Sequence, residues 1–172
     1  MKKLFILSIT AIFLISCGGG QSESQTKAAP ASQPEAVSEP AEESAPAEPE
    51  VAKLVINGSD QMNFDKDELK VLSGSKVELT LNHTGELAKA AMGHNVVILK
   101  KGTDVVAFAT KAIAAKDNDY IPEGDEILVH TEMVGGGEST TISFDAPERG
   151  SYDFICSFPG HYALMKGKFI VL

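Results

Sequence analysis

Short runs of alternating apolar and polar residues, typical of half-buried β-strands, fill the chain beyond about residue 51. Glycine-rich turns separate these runs, among them Asn57-Gly58 and Ser73-Gly74. The pattern predicts eight strands, over Ala52 to Asn57, Glu68 to Leu72, Lys76 to His83, His94 to Lys100, Ile127 to Thr131, Ser139 to Phe144, Gly150 to Cys156 and Gly167 to Leu172. We therefore expect an all-β fold, a Greek-key β-sandwich or barrel.

One segment has a different period. Thr103 to Ala115 is rich in alanine, and its apolar residues at 105, 106, 109, 112 and 113 follow a helical spacing. This segment predicts a short helix inserted between two strands.

Residues 1–17 have the layout of an export signal. Lys2 and Lys3 precede an apolar run from Leu4 to Ile15 that is too short for a permanent membrane span. The run ends in Leu-Ile-Ser-Cys, which resembles a bacterial lipobox. That motif implies cleavage before Cys17, lipidation of its thiol and acylation of the new amino terminus, for example with palmitate. The alternative is an ordinary signal peptide.

Residues 18–50 predict a disordered tether. They are rich in Ala, Pro, Glu and Ser, and Val37 is their one β-branched aliphatic residue, so they have little to bury. Five prolines argue against the alternative of an Ala/Glu helix. As a random coil the segment would span roughly 30 Å. The third part, residues 51–172, is the folded domain.

Charge and cysteine content limit the range of functions expected of the chain. The net charge is −9, and residues 51–172 carry 17 acidic against 12 basic residues, which favours solubility and gives no reason to expect nucleic-acid binding. The chain has two cysteines. If Cys17 carries lipid and Cys156 binds metal, no pair remains for a disulfide.

The candidate chemistry lies near the end of the chain. His161 follows Cys156 by five residues, and Met165 follows His161 by four, across a tight Phe-Pro-Gly loop. Taken singly, a cysteine or methionine is usually buried filler. Together with His94 far upstream, the three side chains make the ligand set of a blue-copper electron-transfer site. The combination predicts one bound copper ion and transfer of single electrons.

Longer sequence segments resemble the azurins of the cupredoxin family, from about Val55 to Leu172. The segments that carry the resemblance are Asn57 to Phe64, Leu81 to Gly85, Ala91 to Asn95, Asp119 to Pro122, His130-Thr131, Gly135 to Glu138 and Cys156 to Met165. With the lipobox and tether in front, the whole chain resembles lipid-modified azurins.

The resemblance implies a role for each ligand. His94, Cys156 and His161 become the equatorial ligands and Met165 the weak axial one. The backbone carbonyl of Gly93 becomes a distant contact on the opposite side.

The resemblance also implies residues that tune the site. Asn95 and the backbone N–H of Phe158 are expected to donate to the Cys156 sulfur, and such bonds fix ligand orientation. Pro159 has no N–H and so removes a competing donor. His83 is expected near the site, where its titration makes the potential depend on pH; the alternative is a buried histidine with satisfied hydrogen bonds.

An apolar patch over the exposed edge of His161 is the expected partner surface. Its members are Met62, Leu87, Ala91, Met92, Phe158, Pro159, Ala163 and Leu164. The alternative is that these are ordinary core residues. The resemblance implies a monomer in transient complexes with redox proteins such as c-type cytochromes, terminal reductases or oxidases. It places the chain in the cell envelope, anchored to the outer membrane and facing the periplasm or the cell surface.

Two departures from the azurin pattern leave the ligands untouched. The usual disulfide near the start of the domain is missing, with Lys53 and Gly74-Ser75 in its place. Val96 stands where many azurins have a buried tryptophan.

Three alternatives to electron transfer come from different classes of protein. A Cys156/His enzyme would need an orienting acid or amide and an oxyanion hole, and it would leave Met165 unexplained. A copper nitrite reductase would need a second, all-histidine site, for which only His83 and His130 remain. A copper-storage lipoprotein would share the ligands and lack fast electron exchange.

Overall fold

Residues 51–172 form a β-sandwich of two sheets in the computed structural model, which describes this part of the chain. The predicted signal, tether and lipidation site at Cys17 lie outside the described residues. The strands are β1 (Val51–Gly58), β2 (Glu68–Val71), β3 (Lys76–His83), β4 (Val97–Leu99), β5 (Ile127–His130), β6 (Ser139–Asp145), β7 (Gly150–Ile155) and β8 (Lys166–Val171). The helices are α1 (Lys89–Met92) and α2 (Val105–Ala114), with 3₁₀ turns at Lys116–Asn118 and His161–Ala163.

The strand order is β1-β3-β6 in one sheet and β2-β8-β7-β4-β5 in the other. The β1–β3 and β2–β8 pairs are parallel, and the remaining pairs are antiparallel. Chain neighbours therefore often lie in different sheets, which confirms the expected all-β Greek-key sandwich with a short inserted helix.

The main core lies between the two sheets. In β3, Val77, Leu79 and Leu81 are fully buried, whereas the alternate residues face outward. The facing sheet contributes Phe154 and Phe169. Val96 is also fully buried.

A second cluster covers the outer face of the five-stranded sheet. Helix α2 packs Phe108 and Ala109 against Val97, Leu99 and Ile155. Its first turn is capped by Asp104, whose carboxylate accepts the N–H groups of residues 106 and 107 at 2.9 and 3.0 Å. Because both faces of β4 are buried, this strand is fixed from two sides.

The element bounds depart from the sequence prediction most clearly around β4. The predicted strand from His94 to Lys100 is regular only over Val97–Leu99. The N–H of Val96 is bonded to the Thr131 hydroxyl at 2.9 Å, so it does not join the ladder. Helix α1 was not predicted, because a single turn has no readable period. Among residues 51–172 no helix has both the length and the apolarity to cross a bilayer.

Candidate metal centre

Three of the four predicted ligands lie on one short connection. Cys156 directly follows β7, His161 begins a 3₁₀ turn and Met165 directly precedes β8. The Cys156 N–H donates to the Met165 carbonyl at 2.9 Å, and the Met165 N–H donates to the His161 carbonyl at 2.8 Å. These bonds close the loop on itself, so its three side chains start from fixed backbone positions.

His94 reaches the same place from the segment before β4. It forms an isolated bridge with Val134, each residue donating its N–H to the other's carbonyl at 2.9 Å. Its Nε2 lies 2.9 Å from the Ser59 carbonyl. A proton on Nε2 satisfies that carbonyl and leaves Nδ1 free as a metal ligand.

The candidate ligand atoms fit a single metal ion. The Cys156 Sγ lies 3.6 Å from Nδ1 of His161 and 4.0 Å from Nδ1 of His94, and the three atoms lie within 4.8 Å of one another. Bonds of about 2.3 Å to sulfur and 2.0 Å to nitrogen, as for zinc, would separate trigonal ligand atoms by about 3.5–3.7 Å. The buried donor set thus has the size and the soft chemistry of a His₂Cys copper site.

Gly93 and Met165 complete the predicted set. The Gly93 carbonyl oxygen lies 3.8 Å from the Cys156 sulfur. Met165 is fully buried, and its Cε and the His94 ring both lie next to Gly58. A Cβ at Gly58 would come within 2.7 Å of Cδ2 of His94. Only a glycine at position 58 lets the end of β1 lie this close to the ring.

A buried amide links the two ligand-bearing segments. Asn95 and Ser157 each directly follow a predicted ligand. The Asn95 Oδ1 accepts the Ser157 N–H at 2.8 Å, and its Nδ2 donates to the Ser157 hydroxyl at 2.8 Å. Sequence reasoning missed Ser157, although its place directly after Cys156 was a usable signal.

The donors near the sulfur are backbone groups. The backbone N–H groups of Asn95 and Phe158 both act to lower the pKa of the Cys156 thiol. Asn95 therefore approaches the thiol through its main chain, while its side chain binds Ser157. Pro159, with no N–H, is partly buried in the same loop.

Burial determines the protonation states of the candidate ligands Cys156, His161 and His94. It raises the pKa of the Cys156 thiol to about 12, although the two backbone N–H bonds oppose the rise. It lowers the pKa of His161 to about 4 and also lowers that of His94. Near neutral pH both imidazoles are therefore neutral, and the thiol must lose a proton to bind a metal.

His83 lies directly behind His94. The two rings are stacked with centroids 4.3 Å apart and an angle of 12° between their planes. The His83 Nδ1 accepts the Gly85 N–H at 3.1 Å, so its Nε2 carries the proton that bonds to the Met92 carbonyl at 2.8 Å. The structure thus places this histidine at the site, buried, with both ring nitrogens satisfied.

The residues of the apolar patch are all partly or fully exposed. Leu87 is 45% exposed and Leu164 is 65% exposed, whereas His161 is only 3% exposed. The Phe158 ring lies 4.6 Å from the His161 ring, and Tyr120, which sequence reasoning missed, contacts Phe158 edge-on at 5.2 Å. None of the eight is an ordinary core residue.

Comparison with known proteins gives a family match over the whole described domain. The model of copper-binding proteins of the plastocyanin/azurin family matches residues 51–172. The chain is similar to an azurin from Alcaligenes faecalis, with 47% identity over 119 residues, covering 65% of this chain and 91% of the relative.

The chain is also similar to a solved auracyanin structure and to an outer membrane protein. The crystal structure of reduced auracyanin from Roseiflexus castenholzii superposes with a TM-score of 0.64 and 36% identity, covering 70% of this chain and 97% of that one. Outer membrane protein H.8 of Neisseria gonorrhoeae is 38% identical over 117 residues, covering 66% of this chain and 63% of the relative.

Proposed function

We propose that this chain, which belongs to the plastocyanin/azurin family of copper-binding proteins, carries single electrons between redox proteins of the cell envelope while a lipid on Cys17 holds it at a membrane. Family membership makes the chain an electron carrier that binds one copper ion, and it decides against the enzymatic alternatives. The anchor, the partners and the role of each residue are the proposed part.

One observation carries the ligand assignment: the two imidazole Nδ1 atoms and the Cys156 sulfur lie within 4.8 Å of one another in a buried site. His94, Cys156 and His161 would hold the ion, with Met165 as the weak axial ligand and the Gly93 carbonyl opposite. Bound copper supplies a one-electron couple between Cu(I) and Cu(II). The protein contributes fixed ligand positions, a dry surrounding and N–H donors to the sulfur.

The absorption spectrum of the Cu(II)-loaded domain tests this assignment. We expect an intense visible band from the copper–thiolate bond, which Cys156→Ser abolishes without disturbing the β-fold. Met165→Leu should stay blue and shift upward in potential, because an axial ligand tunes the potential. A colourless Met165→Leu variant with full copper occupancy would remove Met165 from the ligand set.

Electrons would enter and leave through His161 and the apolar patch. A flat apolar surface suits brief encounters because it forms few strong polar contacts. We expect Met92→Lys or Ala163→Asp to slow electron self-exchange, most steeply at low ionic strength, without changing the spectrum. Val106→Lys is the matched control, since it adds a charge at a residue 58% exposed on α2.

Self-exchange also separates electron transfer from copper storage. Rapid exchange in the wild-type domain supports electron transport. A blue domain without measurable exchange would favour the storage lipoprotein. Unchanged exchange in both patch variants would assign the exit to another face.

Two observations support the anchor: the lipobox-like sequence ending at Cys17, and the similarity to a protein named for the outer membrane. Cells grown with radioactive palmitate should yield a labelled wild-type protein in the membrane fraction and an unlabelled Cys17→Ser variant. An unlabelled, fully soluble wild-type protein would leave a periplasmic azurin. Redox partners such as c-type cytochromes, reductases or oxidases would be sought in the same compartment.

A further inference from the structure

Asp60 is an acidic side chain at the metal end of the domain that the ligand set does not use. It lies in the loop after β1, and its carboxylate accepts the N–H of Glu86 at 2.8 Å and that of Leu87 at 3.3 Å. The side chain is 23% exposed. A Cβ at Gly85 would overlap the carboxylate. Asp60 therefore holds the loop between β3 and α1 close to the loop that follows β1.

Asp60 is connected to the proposed ligand His94 in two ways. Its chain neighbour Ser59 offers the carbonyl that orients His94. Its Oδ1 lies 3.9 Å from Nε2 of His83, whose ring stacks on His94. Displacing Asp60 would disturb both supports of the His94 ring.

The charge of Asp60 is fixed by its contacts. The N–H of Glu86, and with it that of Leu87, holds the pKa of this carboxyl below its usual range, so the group is anionic at neutral pH. A negative charge stabilises the more positive oxidation state of a nearby metal. Its effect exceeds that of a free surface charge because a partly buried charge is less screened by salt.

We infer that Asp60 is a positioning residue of the copper centre, which lowers the reduction potential by its fixed charge and holds the 84–87 loop so that Leu87 completes the partner surface. The inference rests on the proposed electron-transfer function. Asp60 also lies two residues before Met62, so one carboxylate connects two separate segments of the apolar patch.

The test compares three variants of the copper-loaded domain. Asp60→Asn removes the charge and keeps an acceptor oxygen, whereas Asp60→Ala removes both. Glu86→Gln is the control, because it removes one negative charge from an exposed side chain of the same loop and leaves the backbone N–H in place. Reduction potential, visible spectrum and self-exchange rate are measured for each.

We expect Asp60→Asn to keep the blue spectrum and to raise the potential by more than Glu86→Gln does. Asp60→Ala should raise it similarly and also slow self-exchange several-fold, since Leu87 is released. An Asp60→Asn potential no higher than that of Glu86→Gln would overturn the inference, and this variant decides the matter even if Asp60→Ala does not fold. Failure of the proposed function is distinguishable, because it would appear as absent self-exchange in the wild-type domain.

Discussion

Removing the amide of Asn95 should destabilise the domain by breaking the link between its two ligand-bearing segments. Asn95→Ala deletes both bonds of 2.8 Å to Ser157 and a third, weaker contact of 3.3 Å from the Ser157 hydroxyl. Asn95 is fully buried and Ser157 is 2% exposed, so water does not replace the lost partner. A buried group left unsatisfied costs about 1–3 kcal/mol.

The direction of the Ser157 backbone N–H is fixed, whereas the Ser157 hydroxyl can rotate toward another acceptor. We therefore expect the free energy of unfolding of the metal-free domain to fall by about 2–4 kcal/mol, most of it from the stranded N–H. Urea unfolding measures the loss, and an unchanged dependence on denaturant shows that the same surface is exposed. Copper affinity should fall as well, because Asn95 and Ser157 adjoin His94 and Cys156.

Asn118→Ala is the matched control for this experiment. It makes the same truncation at an exposed asparagine, whose Nδ2 donates to the Ile121 carbonyl at 2.7 Å. Water can take over that bond, so the cost should stay below about 1 kcal/mol. If Asn95→Ala costs no more than Asn118→Ala, the amide link does not stabilise the site and the reasoning fails.

The remaining predictions concern proton release on copper binding, the space beside the His94 ring and the core cluster under α2. Copper binding near pH 7 should release about one proton per ion, because the pKa of Cys156 is about 12 and that of His161 is about 4. Calorimetry in buffers of different ionisation heat counts the protons, and the copper affinity should rise with pH. Copper binding without proton release would refute the assignment of the Cys156 thiol as a ligand. Gly58→Ala should change the visible spectrum and weaken copper binding, since its Cβ would displace the His94 ring. Phe108→Ala should lower the unfolding free energy by about 3–5 kcal/mol and leave that spectrum unchanged, and a changed spectrum would link α2 to the site.

Sequence patterns predicted the regular part of this fold well. The bounds of β3 match the prediction because alternation from Lys76 to His83 is unbroken. The four candidate ligands were recognisable because their chemistry is unusual and three of them share one short loop. The segment from His94 to Val96 was predicted as strand because its bonds to Thr131 and Val134 leave no mark in local composition.

The supports of the site were harder to predict. The His94 contact uses the Ser59 backbone carbonyl, and a backbone group is the same for every residue type. The Asn95–Ser157 link joins positions 62 residues apart, and the stack of His83 on His94 depends on a register between separate segments. These features arise from tertiary packing, so a single sequence cannot show them.

The parallel pairing of β1 with β3 would have a mechanical consequence under the proposed attachment through Cys17. β1 begins at Val51, where residues 1–50 join the domain, and ends at Gly58 against the His94 ring. A pull along β1 from its amino-terminal end would load all eight residue pairs of β1 and β3 in shear, so that they would resist together. The strand that would bear the tension of a membrane attachment is also the strand whose far end borders the copper ligands. If β1 detached as a unit, the His94 ring would lose its contact with Gly58, so the visible spectrum of the copper-loaded domain should change together with detachment.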